Sequence, residues 1–193
     1  MIEAKTVARL REMTGAGMMD AKKALEETDG DLAAAAEALK KKGLAKAEKK
    51  GERETREGRV YAYIHASGKM GAMVEILCET DFVARNEQFL ELCKDVAMHV
   101  AASDPLYVRR EQVPPEVVEK QRALFAEDVA GKPADIQQKI VDGKMDKWFA
   151  ERCLLEQAFV KDEDKTVDEL LKEKISTIGE NMQVSRFARF QIG

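Results

Sequence analysis

Glu79-Thr80-Asp81-Phe82-Val83-Ala84-Arg85-Asn86 is the stretch on which the fold turns. Two alternating apolar segments, residues 59–66 and 71–78, run ahead of it, and a helical pattern begins at Glu87 behind it. Strand periodicity gives way to helix periodicity within these residues, so the chain changes from sheet to helix here. A connection of this kind lies at the surface, because its backbone polar groups cannot easily be buried. Phe82 is therefore either a plug for the core beneath the corner or a ring held out for a partner. Composition alone favours the plug, since a lone aromatic is more often buried than displayed.

Upstream, Val60, Ala62, Ile64 and Ala66 alternate with Tyr61, Tyr63 and His65, and Ser67-Gly68-Lys69 returns the chain. Ala72, Val74, Ile76 and Cys78 form the facing apolar row, which predicts a β-hairpin carrying the corner on a rigid support. Downstream, Phe89, Cys93, Val96, Ala97 and Val100 mark a helix on the hairpin face, ended by Asp104-Pro105. Pro115 suits the first position of a new helix with Val118, Arg122, Phe125 and Val129 on one face, closed by Gly131-Lys132-Pro133. A further helix from Ala134 holds Ile136, Ile140 and Val141, and Gly143 breaks or bends it before Met145, Trp148, Phe149 and Cys153. Joined by so short a turn, these two helices should pack antiparallel and project from the sheet. Thr166-Val167-Asp168-Glu169 has capping-box spacing and opens a helix through Leu170, Leu171, Ile175 and Ile178. Gly179 and Asn181 end it, and residues 184–192 return to the sheet with Val184, Ala188, Phe190 and Ile192 on the apolar side.

The N-terminal part is helical by pattern. Residues 3–13 place Val7 and Leu10 on one face, and Gly15 and Gly17 make the following break cheap in backbone strain. A second helix from Met18 or Met19 to about Glu27 buries Ala21, Ala24 and Leu25. Asp31 caps a third, where Leu32, Ala35, Ala36 and Leu39 recur at helical spacing. So small a core is marginal unless idealised or docked. Adjacent residues on a helix point about 100° apart, so of Met18 and Met19 one can fill that core while the other faces outward. Alternatively the pair is an adaptable apolar contact for another protein, with Arg11 and Lys22 as its polar rim. Residues 40–57 are highly charged and twice interrupted by glycine, and read as a solvated linker. No aromatic is interleaved there to stack on a base.

Across the 193 residues, 45% hydrophobic and 35% charged side chains exclude global disorder. A net charge of −4 argues against nucleic-acid binding through overall charge. No apolar run approaches the roughly 18 residues of a membrane span, and the N-terminus lacks a signal-peptide layout. Cys78, Cys93 and Cys153 each fall in an apolar pattern and read as buried thiols, which suits a reducing cytoplasm. His65 and His99 form no ligand cluster with them, so neither a metal nor a cofactor is expected. There is no activated nucleophile and no phosphate loop, which argues against an enzyme.

Residues 10–25, LREMTGAGMMDAKKAL, resemble the N-terminal signature of the elongation factor Ts family, and residues 80–86, TDFVARN, resemble its second signature. Residues 98–103, MHVAAS, and 165–172, KTVDELLK, are also similar to that family. The resemblance implies an α+β protein: a three-helix ubiquitin-associated-like module, then an α+β core with an antiparallel sheet and a helical hairpin. The expected division is residues 1–50 for the module and the start of a charged linker, 51–57 for the linker and 58–193 for the core and dimerisation domain. The implied function is guanine-nucleotide exchange on elongation factor Tu, bound both with GDP and nucleotide-free. Asp81 and Phe82 would intrude near the magnesium site of that GTPase, with Thr80 and Val83 completing the segment. Arg11, Met18, Met19 and Lys22 would form the contact of the N-terminal module. On this resemblance Phe82 is displayed rather than buried. Longer members of the family carry two related core halves where this chain has material for about one, so either a monomer makes a reduced contact surface or two chains pair, and the favoured expectation is a homodimer and a 2:2 complex. The competing readings are a binder of ubiquitin-like proteins and an RNA-binding protein using residues 40–59. The first is weakened because the loop at residues 15–19 lacks the aromatic common in ubiquitin readers.

Overall fold

Good helix formers dominate the first part of the chain, and the computed structural model, which describes residues 2–193, folds them into three helices. These are α1 (Ala4–Thr14), α2 (Met18–Glu27) and α3 (Leu32–Lys50). Val7, Leu10, Ala21, Ala24, Leu25 and Ala35 form their shared core, with Ile2, Leu32, Ala36 and Leu39 packed around it. Gly15 ends α1 in the left-handed region at φ 66°, its N–H donating to the Arg11 carbonyl at 2.8 Å. The Asp31 carboxylate accepts from the Ala33 and Ala34 amides at 2.8 and 3.0 Å, a cap worth about 1 kcal/mol.

The linker reading fails over residues 40–50, where α3 continues unbroken to Lys50. Lysine, alanine and glutamate have helix propensity enough to carry the segment across one glycine. Ala47 is buried, and at Gly43 an added Cβ would come within 2.9 Å of the Ser176 Oγ, so a larger residue there would require that hydroxyl to move.

The sheet has the order β1-β2-β5, with β1 (Glu57–Ile64), β2 (Met70–Cys78) and β5 (Met182–Gln191). The hairpin closes through His65 N–H to the Met70 carbonyl at 2.9 Å, with Gly68 at φ 67° in the turn. β5 runs antiparallel to β2: Ile192 N–H reaches the Lys69 carbonyl at 2.8 Å and Arg186 pairs with Glu75. Ala72, Val74, Ile76 and Cys78 are buried as expected. The faces of β1 and of the end of β5 are the reverse of the sequence reading. Val60 and Ile64 are exposed while Tyr61 and Tyr63 are half-buried, and Ala188, Phe190 and Ile192 are exposed too. Alternation marks two faces without saying which one meets the core.

Between β2 and β5 lie a single-turn helix α4 (Asp81–Ala84), α5 (Glu87–Ser103), α6 (Pro115–Glu127), α7 (Ala134–Arg152), a short antiparallel pair β3 (Ala158–Phe159) and β4 (Asp162–Thr166), and α8 (Val167–Ile178). Sequence reasoning missed the β3–β4 pair. Phe89, Leu92, Cys93, Val96, Ala97 and Val100 are buried along α5, and Arg189 binds its last turn by donating to the Ala101 carbonyl at 2.9 Å. The α6–α7 hairpin packs Val113, Val129, Val141, Met145, Trp148, Phe149 and Cys153 together. Gly143 does not interrupt α7. Burying Val141, Met145, Trp148 and Phe149 outweighs the roughly 1 kcal/mol that an internal glycine costs a helix. The capping box forms reciprocally: Thr166 N–H donates to Glu169 and Glu169 N–H to the Thr166 hydroxyl, both at 3.1 Å.

The chain divides into two compact units. One comprises the residues up to Gly58 with Leu77–Leu92 and Leu171–Gln183; the other comprises Arg59–Ile76, Cys93–Leu170 and Val184–Gly193. In the second unit His99 is fully buried, its Nδ1 accepting from Val160 N–H at 3.2 Å. That fixes the proton of the neutral ring on Nε2, which lies 2.9 Å from Gln157 Oε1. Burial holds the imidazole pKa below its ordinary 6.5. The unfolded chain therefore takes up this proton first, so stability that is present above about pH 6.5 is lost as the solution is acidified. Urea midpoints measured between about pH 7 and 5 should fall, and a His99→Gln chain should show a shallower fall.

Candidate functional site

The corner is built by local hydrogen bonding in the first unit. β2 ends at Cys78, whose buried thiol donates to the Thr80 carbonyl at 3.2 Å. Burial, and then the charge of Glu180, push this thiol up to about 11, so it remains a protonated donor at neutral pH. Thr80 caps α4, its hydroxyl accepting from the Val83 amide at 3.4 Å. Residues two apart in a helix point about 200° apart, so burying Ala84 turns Phe82 outward. The Phe82 ring is 82% exposed and is no plug. Asp81 pairs with Arg85 one turn on at 3.1 Å, both side chains open to solvent. Val83 is half-buried, and Asn86 caps α5 by accepting from Gln88 N–H at 2.8 Å.

The N-terminal residues singled out by sequence belong to the same unit. Met18 is 53% and Met19 75% exposed, so neither fills the module core, which Ala21, Ala24 and Leu25 supply from α2. Arg11 braces the loop between α1 and α2 by donating from Nε to the Ala16 carbonyl at 3.3 Å, and Lys22 lies 3.8 Å from Glu26 on the exposed face. Met13, which sequence reasoning passed over, is exposed as well.

Sequence reasoning missed Glu180 and the pairing of Glu79 with Asn181, because what joins these residues is far from local in sequence. The Glu180 carboxylate accepts from the Glu79 and Thr80 amides at 3.1 and 3.0 Å and from the Thr80 hydroxyl at 2.6 Å. The Glu79 carboxylate in turn accepts from Asn181 N–H at 2.6 Å and lies 3.5 Å from Arg53. The buried Asn181 amide donates to the carbonyls of Gly51 and Arg53 at 3.3 and 2.7 Å. No spacing rule points to these pairs.

The lysines of residues 40–50 are largely engaged within the protein. Lys42 and Lys46 both bind Asp20, Lys41 binds Glu37, and Lys50 donates to the Gly179 carbonyl at 2.6 Å at the end of α8. Among the described residues no group of three or more His, Cys, Asp or Glu side chains is placed to hold a metal. Among them, too, no helix is long and apolar enough to cross a membrane.

Fold and side chains together define an α+β protein with a small helical module, whose singled-out residues sit on the surface rather than in a cleft. The family model described as Elongation factor TS matches residues 3–193. Proteins named elongation factor Ts are similar along the whole of this chain. That of Geobacter sulfurreducens is 56% identical, with 90% of its own length covered; that of Thermosipho melanesiensis is 53% identical and covered completely; that of Oleidesulfovibrio alaskensis is 53% identical with 98% covered. The chain belongs to the elongation factor Ts family, a family of translation elongation factors.

Proposed function

We propose that this protein is the guanine-nucleotide exchange factor of elongation factor Tu, acting in the cytoplasm and promoting GDP release by disturbing the magnesium and phosphate site. The observation that carries the reading is the exposed Phe82 ring beside Asp81 on a helix turn capped by Thr80. A bound guanine nucleotide depends on amides at a helix N-terminus and on a magnesium ion bridging phosphate oxygens. A partner that binds the empty GTPase more tightly than the loaded one must weaken nucleotide binding by the same factor. Burying a phenylalanine contributes about 1.5–3 kcal/mol to such a complex. The exposed Asp81–Arg85 pair is worth little in water, so the carboxylate is cheaply released toward a new partner. Arg11, Met18, Met19 and Lys22 of the module at residues 1–50 supply the second contact, which adds to the preference for the empty state. Residues 51–57 connect that module to the core. The protein catalyses no bond chemistry and needs no cofactor; what it changes is an affinity. Release of fluorescent GDP from elongation factor Tu tests the proposal: acceleration is expected, and an unchanged rate at saturating protein would sink it.

The same reading makes residues 58–193 a dimerising core and the complex 2:2. Val60, Ile64, Met73, Phe190 and Ile192 form an exposed apolar surface on the sheet. A second copy is the occupant that fits, since it supplies the related half that longer members carry in one chain. Light scattering at micromolar concentration is expected to give twice the 21.6 kDa chain mass. Phe190→Glu should return a folded monomer, since a buried charge is not tolerated at an apolar interface. A monomer mass for the unaltered chain would remove the dimer.

A further inference from the structure

The three hydrogen bonds that the Glu180 carboxylate accepts are aimed at the residues immediately before the displayed turn. It takes the amide hydrogens of Glu79 and Thr80, and the short 2.6 Å contact takes the Thr80 hydroxyl proton. A hydroxyl has one proton to give. With that proton committed to Glu180, a lone pair of Thr80 Oγ1 faces the Val83 amide and caps α4. A four-residue helix has little stability of its own, so its position is set by what holds its first residue. Glu79 and Asn181 interlock the same two segments from the other side, with Asn181 also holding the carbonyls of Gly51 and Arg53.

We propose that Glu180 is a positioning residue for nucleotide exchange: through the Thr80 hydroxyl it holds the Asp81–Phe82 turn in the orientation that docks. It touches neither nucleotide nor magnesium. The inference rests on the exchange reading above and names the group that prepares its site. Charge matters as much as shape here. A carboxylate can accept all three hydrogen bonds, whereas a glutamine presents an amide group that donates toward the Thr80 hydroxyl and leaves its proton without that acceptor.

The test compares Glu180→Gln, Thr80→Val and the double variant in fluorescent GDP release from elongation factor Tu, titrating the exchange protein. For Glu180→Gln the maximal stimulated rate should fall about tenfold, the rate equivalent of one charge-assisted hydrogen bond, while the half-saturating concentration changes little. The second measured quantity separates positioning from general damage, because the N-terminal contact still docks. The double variant should be no slower than the slower single one, since both act through one hydroxyl. Amide hydrogen exchange of the free protein should quicken at residues 79–86 in Glu180→Gln and stay unchanged in α1 and α2. A maximal rate equal to that of the unaltered protein, a rise confined to the half-saturating concentration, or an additive double variant would each overturn the inference. Should the variant prove too unstable to assay, Thr80→Val alone decides by the same rate criterion. If the unaltered protein fails to stimulate release, the exchange reading falls and this inference falls with it; slow variants beside an active parent and a slow Phe82→Ala separate the two cases.

Discussion

Phe82→Ala is expected to cut stimulated GDP release by about 10- to 100-fold at a fixed subsaturating concentration, the equivalent of the roughly 1.5–3 kcal/mol lost when a phenylalanine is no longer buried. The ring makes almost no contribution to its own fold, being 82% exposed. Truncating it should therefore leave the unfolding midpoint within about 0.5 kcal/mol of the parent. That combination, a large functional loss with an unchanged fold, is what distinguishes a docking side chain from a core one. Asp81→Ala should also slow release, by a smaller factor, because its partner Arg85 is solvent-exposed and loses little when left alone. Stopped-flow fluorescence with circular dichroism as the folding control measures both. Full activity of Phe82→Ala would remove the displayed ring from the mechanism.

Leu25→Ala is expected to unfold the N-terminal module. Leu25 is fully buried, and the other buried members of its cluster are Val7, Leu10 and three alanines. Truncating a buried leucine costs about 2–5 kcal/mol, comparable to the whole stability of so small a core. The expected signature is loss of hydrogen-exchange protection across α1 and α2, with protection in α7 retained. Weaker binding to elongation factor Tu should follow, because Met18 and Met19 are presented by α2. If protection persists, the docking of α3 through Lys50 to Gly179 and through Gly43 against Ser176 supplies the missing stability. The module would then not be the independent marginal core that its size suggests.

Local chemistry was legible in the sequence wherever the interacting groups are neighbours along the chain. The buried stripes of α1, α2 and α5, the Asp31 cap, the Thr166–Glu169 capping box and the hairpin turn all depend on residues within a few positions of one another. The two family signatures located the corner and the module, and the resemblance they carry implied the α+β class, while the change of period marked where strand gives way to helix. Four outcomes needed the tertiary structure. α3 runs on through Gly43, where the helix passes close to Ser176, a residue more than 100 positions away. α7 runs on through Gly143 because buried side chains flank it. The apolar row of β1 faces solvent because Ala72, Val74 and Ile76 fix which side of the sheet is inside, a choice that alternation leaves symmetric. The Glu180–Thr80 clamp is the plainest case. Residues 100 positions apart carry no periodicity that could announce them, and only the return of the chain after α8 brings the carboxylate to the amides it holds.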